Sequence, residues 1–410
     1  MEGAVPADLA VANSLRMVHE LRQSKRLSRA ELARRAGLAP PTVSRLVNRL
    51  LQQGLVRLSS EPSTSSVGRP AVLLEFDPNA AYLLSCDVGN QSTRVALAGL
   101  DGRLVATVRG RTAAKPDELV RRIVRFAEAL KPACGRPLAG VSVGVAAVVD
   151  AHGGVLREPP QHPKWEGYAL GDALEGALQA PVIVEQDDHL AALAEASPEG
   201  TAPGASSVVL LQIGKGIGVG YCLGGQSVSG KGGRFGRVAR WPVRSPVGDA
   251  RRGQMLGDVL TSSGLSRVYL RLGGTSGLHD GRAVVEAAST GDAIAIEVMQ
   301  WSGREIAALI RDLDALLAPE VVVFGGGLSA SYHALRPIIE PLLPKRIDLR
   351  RSMLGDQAVL FGGVVILHDL SENYIAARIA GSAAQDVLGG RRRGPGHAGS
   401  GLGSQVFGPS

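Results

Sequence analysis

The sequence predicts an α/β protein in which an Arg-rich helical head precedes a long body built of two similar halves. Three observations carry this. Residues 9–58 have helical spacing, whereas residues 71–380 alternate β-type apolar runs with longer helical segments, the pattern of an α/β architecture. The body also opens twice in the same way. A strand and glycine turn at 83–90 lead to a strand at 94–100, and a strand and glycine turn at 208–216 lead to a strand at 217–221. Further strands are expected at 141–149 and 182–185 in the first half and at 321–324 in the second. Such a repeat implies paired lobes with a cleft between them. With 410 residues, 45% of them apolar, the chain can bury several cores, since a domain takes roughly 100–200 residues.

Charge is unevenly spread. Residues 1–76 hold 11 Lys and Arg against 6 Asp and Glu, while residues 77–380 hold 31 against 31. A neutral body with a basic head points to a polyanion-binding module at the N-terminus. The head supplies the local signals. Ser28 is placed to cap a helix and Glu31, three residues on, completes a capping box. Leu32, Ala33 and Ala36 make its apolar face, and Gly37 ends it in a tight turn. A second helix is expected at 40–53, with proline in the first turn, where backbone N–H groups lack intrahelical partners anyway. Val43, Leu46, Val47 and Leu50 form its buried face and leave Thr42, Ser44, Arg45, Asn48 and Arg49 on the other. Two short helices around a glycine turn match the helix-turn-helix, whose second helix enters the major groove of double-stranded DNA. There Arg suits guanine and Asn suits adenine. A strand beginning within 53–58 and a returning strand at 71–76 would close a β-wing. The Pro/Gly/Ser-rich stretch 61–70 reads as a loop whose tip carries Arg69, placed for a minor groove or a phosphate. The alternative is a helical interaction module with solvated arginines.

Other features exclude function classes. Cys86, Cys134 and Cys222 stand far apart, in none of the spacings of zinc or redox sites, and suggest buried thiols in a reducing compartment. No apolar run reaches the roughly 18 residues of a membrane span. Residues 1–20 lack the apolar core of a signal peptide, so the expected location is cytoplasmic. From 381 to 410 the sequence becomes Gly-, Ser- and Arg-rich with Arg391, Arg392 and Arg393, a composition expected to be disordered.

Over about residues 10–380 the sequence resembles the ROK family of sugar-responsive repressors and sugar kinases. The segments LSRAELARRAGLAPPTVSRLVNRLLQQGLV and GRPAVLLEFDP are similar to the winged helix-turn-helix of the repressor branch, which the kinases lack. DVGNQSTRVALAGLDGRLV, VEQDDHLAALAE, IGKGIGVGYCLGG and VVVFGGGLS resemble landmarks of the whole family. The resemblance implies a winged helix at 9–76 and an actin-like, duplicated ribonuclease-H-type body with lobes at 77–200 and 201–380. It further implies a homodimer or homotetramer on palindromic operators.

The same resemblance implies a degenerate site. Asp187 matches the family's catalytic base and is expected to be vestigial. Gln186 replaces the preceding Asn, and Gln161 stands where the family has an Asn upstream. Arg234 and Arg237 replace the sugar-binding Glu and the sugar- or zinc-binding His, and Gly257 stands for another Glu. Residues 238–265 hold no Cys or His, so the zinc ligands are absent. The first phosphate loop is altered at Asn90 and Gln91, and the second keeps Gly214, Gly216, Gly218 and Gly220 around Lys215. These glycines serve a hairpin needing positive φ, or else Lys215 pairs an anion. No cofactor and no metal are expected.

Gln161, Gln186, Asp187, Arg234 and Arg237 are the candidate effector-binding residues. Two guanidiniums there suit a carboxylate or phosphate; alternatively they pair with Asp187, Asp188 or Asp249 and close a dead pocket. The reading is a transcriptional regulator, a repressor in preference to an activator, whose body oligomerises and senses a sugar-like metabolite. A sugar kinase with an appended DNA-binding head, and a ligand-independent DNA-binding regulator, are the alternatives.

Overall fold

A computed structural model describes residues 6–60, 72–131, 135–150, 154–247, 254–275 and 277–381. Arg69, Asp249, Cys134 and the tail beyond 381 lie outside them.

The head comprises α1 (Pro6–Ser24), β1 (Leu27–Ser28), α2 (Arg29–Ala36), α3 (Pro40–Gln52), β2 (Val56–Leu58) and β3 (Leu73–Phe76). The capping box forms: Glu31 N donates to Ser28 Oγ at 3.2 Å, and Ser28 N donates to Glu31 Oε2 at 2.8 Å. Gly37 ends α2 with φ 65°. No side chain caps α3 at Ala39, but Pro40 and Pro41 occupy its first turn. The apolar faces of α2 and α3 are buried as their spacing requires. Strands β2 and β3 pair antiparallel through Val56–Phe76, Arg57–Glu75 and Leu58–Leu74, forming the wing. The two-residue β1 joins the far side of β3; it is too short to leave a periodic signal.

The first lobe contains β4 (Tyr82–Val88), β5 (Ser92–Gly99), β6 (Leu104–Arg111), α4 (Pro116–Leu130), β7 (Leu138–Val145), β8 (Val148–Asp150), β9 (Val155–Arg157), α5 (Leu170–Leu178), β10 (Val182–Gln186) and α6 (Asp187–Ala196). The second contains β11 (Ser207–Ile213), β12 (Ile217–Leu223), β13 (Gln226–Ser227), α7 (Leu256–Val259), α8 (Ser262–Arg271), α9 (Gly281–Ser289), α10 (Ala293–Leu317), β14 (Val321–Gly325), α11 (Tyr332–Ile339) and β15 (Asp348–Arg351). The run expected as one strand at 141–149 is two, because β8 leaves the sheet to pair with β9.

The duplication is exact in topology. The sheets run β10-β7-β4-β5-β6 and β13-β12-β11-β14-β15. In each, the first strand is central, antiparallel to the second and parallel to the fourth. This is the paired ribonuclease-H-type arrangement.

After β15 the chain crosses back through α12 (Ala358–Ile366) and α13 (His368–Ala380). Ser85 Oγ of β4 donates to Leu360 O at 2.8 Å. A Cβ on Gly362 would collide with the Leu190 backbone of α6, so glycine permits the close α6–α12 packing. Helix α13 then docks on the head. Tyr374, Ile375 and Ile379 share one apolar core with Met17, Leu21, Leu55 and Phe76 of the head and Leu83, Ala98 and Leu100 of the first lobe. Arg22 pairs with Glu372 and donates to Leu100 O at 2.9 Å, while Gln53 Nε2 donates to Arg378 O at 2.7 Å. Head and first lobe are therefore packed as one unit. Ile375→Ala should cost about 2–5 kcal/mol and leave head and first lobe melting in a single transition. Calorimetry of the full chain checks this; a head that melts separately contradicts it.

Candidate functional site

The outer face of α3 carries the head's polar groups. Ser44, Arg45, Asn48 and Arg49 are exposed and Thr42 is half-buried, opposite the buried Val43, Leu46, Val47 and Leu50. Arg29, at the start of α2, reaches across the turn. It donates to Ser44 O at 3.1 Å and to Asn48 Oδ1 at 2.9 Å. Asn48 thus has its side-chain acceptor engaged and offers its amide N–H groups outward. Among the described residues Arg45 and Arg49 form no ion pair and both are exposed, with the Arg49 guanidinium beside Gly381 at the end of the last described helix. Arg29 escaped the sequence reading because its partners lie on the next helix.

In the body, α6 brings its first turn between the two sheets. Asp187 Oδ1 accepts from Asp188 N at 3.0 Å. Asp188 Oδ1 accepts from Gln212 Nε2 of β11 at 2.9 Å, linking the lobes. Gly218 and Gly220 of β12 face this turn, and a Cβ on either would overlap Asp188. That corrects the sequence-based reason for the second glycine loop. None of Gly214, Gly216, Gly218 and Gly220 has positive φ; two of them are small because α6 passes so close.

Burial pushes Asp187 well above the ordinary carboxylate range, and the neighbouring Asp188 and Asp87 push the same way. Asp188 is pushed up to about 6, chiefly by burial, with the Gln212 hydrogen bond and Arg237 opposing. Asp87 at the end of β4 is also raised by burial, against the pull of Arg94, whose Nε donates to it at 3.0 Å. A raised pKa alone suits a general base, but the polar groups around Asp187 are largely occupied by protein. Gln186 is buried, donates through Nε2 to Gly233 O at 2.8 Å and lies 3.0 Å from His189 Nε2. His189 Nδ1 is in turn 3.0 Å from Glu185 Oε1.

Gln161 is exposed and its side chain makes no hydrogen bond among the described residues. The adjacent His162 stacks on Trp165 at 4.1 Å and reaches Asn90 O at 3.1 Å. Lys215 donates to the side-chain carbonyl of Gln91, so the altered positions of the two phosphate-type loops clasp each other across the lobes. Arg234 and Arg237 do not pair with Asp187 or Asp188. Both pair with Glu158, at 3.3 and 3.0 Å, and Arg240 joins them at 2.6 Å. Of the α6 carboxylates, Asp188 is tied to Gln212 of lobe two and Asp187 to the backbone of its own helix, whereas Glu158 projects from the turn after β9. Arg240 continues the three-residue spacing of Arg234 and Arg237, a legible signal; Glu158, far upstream, left none. Among the described residues no cluster of three or more His, Cys, Asp or Glu is arranged for a metal ion.

Because Asp188 has a raised pKa on folding, the native state holds its proton more tightly than the unfolded chain. Stability from this source is therefore present near pH 4 and declines as pH rises through about 6. Asp188→Asn should raise the thermal midpoint at pH 7.5 and flatten the change between pH 4 and pH 6 relative to wild type. Thermal melts across that range test it, and an unaltered pH profile contradicts it.

The ROK family model matches residues 83–369, well over half of the chain, and a MarR family model matches residues 8–64. The chain is 23% identical to the DNA-binding transcriptional repressor Mlc of Escherichia coli over 83% of its own length and 89% of that protein. It is likewise 23% identical to the dual regulator NagC of Escherichia coli, over 88% and 96% of the two chains. A crystal structure of a ROK family transcriptional regulator superposes with TM-score 0.72 at 22% identity, covering 91% of this chain and 100% of the other. A ROK hexokinase from Thermus thermophilus superposes with TM-score 0.60 at 25% identity over 69% of this chain and 97% of its own. With a winged-helix head joined to two lobes of the same topology, the chain belongs to the ROK family.

Proposed function

We propose that this chain is a sequence-specific DNA-binding transcriptional regulator, a repressor, that acts in the cytoplasm. The observation that carries the reading is the exposed polar face of α3, with Arg45 and Arg49 solvent-facing in a winged head. Relatives named as repressors, aligned over most of the chain, support it. Thr42, Ser44, Arg45, Asn48, Arg49 and Arg69 are assigned to DNA. The domains are 9–76 for the head and 77–200 and 201–380 for the lobes, and a homodimer or homotetramer would present two heads to a palindromic operator.

The body is assigned to oligomerisation and sensing of a sugar-like metabolite, with Gln161, Gln186, Asp187, Arg234 and Arg237 around the ligand. We assign it no enzymatic activity, because Gln186 is consumed by protein contacts and Lys215 is held by Gln91. The similarity to a ROK hexokinase keeps a second reading in view, a sugar kinase with a DNA-binding head. Sugar-dependent ATP turnover that disappears in Asp187→Ala would establish it.

In-vitro selection from random duplex DNA at fixed salt tests the main reading. Wild type should enrich a palindrome. Arg45→Ala should lose about 1–3 kcal/mol of discrimination at one base pair of each half-site while keeping its thermal midpoint. No enrichment by wild type overturns the reading, and unaltered specificity in Arg45→Ala overturns the assignment of the reading face.

A further inference from the structure

Arg234, Arg237 and Arg240 converge on one carboxylate. Arg234 approaches Glu158 Oε1, and Arg237 and Arg240 both approach Oε2. The arginines follow β13 in the second lobe, and Glu158 follows β9 in the first, so the cluster spans the lobes. Among the described residues only one carboxylate pairs directly with the three guanidiniums, and Asp188 adds a more distant pull on Arg237, so the cluster stays net positive. Each guanidinium carries five N–H donors in a planar fork suited to carboxylate and phosphate, and Glu158 engages only part of that capacity. The side chain of Arg237 is 29% exposed and forms the floor, whereas Arg234 and Arg240, at 69% and 68%, form a rim open to solvent. Burial lowers the pKa of Arg237, chiefly against the pull of Glu158 and less so of Asp188, while Arg240 and Arg234 push the same way as burial; a bound anion would act in the same sense as the carboxylates.

Glu158 is held in place by its backbone. Its φ is 47°, in the left-handed region that residues other than glycine seldom occupy. Its N–H donates to Glu166 Oε2 at 2.7 Å, which fixes the turn that presents the carboxylate. Uncommon backbone conformations of this kind persist where surrounding structure over-determines them, and they concentrate at ligand clamps and switches.

We propose that Arg234, Arg237 and Arg240 form a binding site for the carboxylate or phosphate group of a small-molecule ligand, and that Glu158 is its built-in occupant. The ligand competes with Glu158 for the guanidiniums, and its arrival releases the turn after β9 from the second lobe. A tie between the lobes is thereby exchanged for a tie to ligand. This rests on reading the body as the sensing half of a regulator. The ligand acts on that regulator only to the extent that it binds the released arrangement better than the closed one.

Titration calorimetry on the full chain, at constant ionic strength, tests this with inorganic phosphate, gluconate and neutral glucose as probes. Phosphate, gluconate or both should bind, and which of them does so separates a phosphate ligand from a carboxylate one. Glu158→Gln should tighten that binding by about tenfold, because the competing occupant loses its charge and the competent state becomes more populated. Arg240→Gln, at an exposed position, should weaken it by about tenfold, as should Arg237→Gln. Unchanged affinity in Glu158→Gln, binding of glucose as tight as that of the anions, or no anion binding even in Glu158→Gln each overturns the proposal. DNA selection fails or succeeds independently. A chain that selects an operator yet binds neither anion refutes the anion site alone, and one that binds anions in the Glu158-dependent way but selects no DNA refutes the DNA reading alone.

Discussion

Ile375 and Ile379 of the last described helix are buried in the same core as Met17 and Leu21 of the first helix and Leu83 and Leu100 of the first lobe. Much else depends on this packing. Each fully buried aliphatic side chain contributes about 1.5–3 kcal/mol, and these side chains come from three distant stretches of sequence. The orientation of α3 relative to the body is thereby fixed by apolar burial, with the Arg22–Glu372 pair and the Gln53 hydrogen bond adding direction. A head seated in this way turns with the lobe beneath it. Any rearrangement of the body that reaches α13 also reaches the exposed polar face of α3.

The route from the cleft to that seat is short. Helix α6 begins with Asp187 and Asp188 between the sheets, and its flank packs against α12 at Leu190 and Gly362. Helix α12 is followed directly by α13. Interfaces packed this tightly have no slack, because a Cβ at Gly218, Gly220 or Gly362 already meets backbone or carboxylate. They move as discrete units or not at all. The carboxylates at the start of α6 therefore belong to the helix that packs on α12, and burial in that packing raises their proton affinity.

How much was legible in the sequence followed the range of the interactions. The capping box at Ser28 and Glu31, the glycine turn at Gly37 and the buried face from Val43 to Leu50 are local patterns, and all three appear as read. The repeated strand-and-turn opening disclosed the duplicated lobes because both copies carry it in full. Where the chain pairs with itself over distance, one sequence carries only half of the information. Arg234 and Arg237 announced a charged site, but whether their partner was Asp187, Asp188, Asp249 or Glu158 depended on which turn reached them first. Glu158 reaches them because β8 and β9 fold away from the sheet as a separate ladder, an event with no periodic signature. The second loop suggests glycines required by turn geometry, whereas Gly218 and Gly220 are constrained by the approach of α6. Sequence alone marks a glycine without saying what lies beside it.

The docking of α13 on the head also has a consequence in time. The winged helix is made before the body on the ribosome and its own helices can close early, since domains generally fold in N-terminal order during synthesis. The last part of its seat is made only after both lobes. Until residues 374–379 have left the exit tunnel, the apolar surface of α1 that α13 covers has no cover. Through most of translation the head thus exists as a small basic module on an unfinished body, held by the first lobe alone. The orientation of α3 relative to the body is complete only when α13 is in place. The end of the described chain in this way completes what its beginning starts.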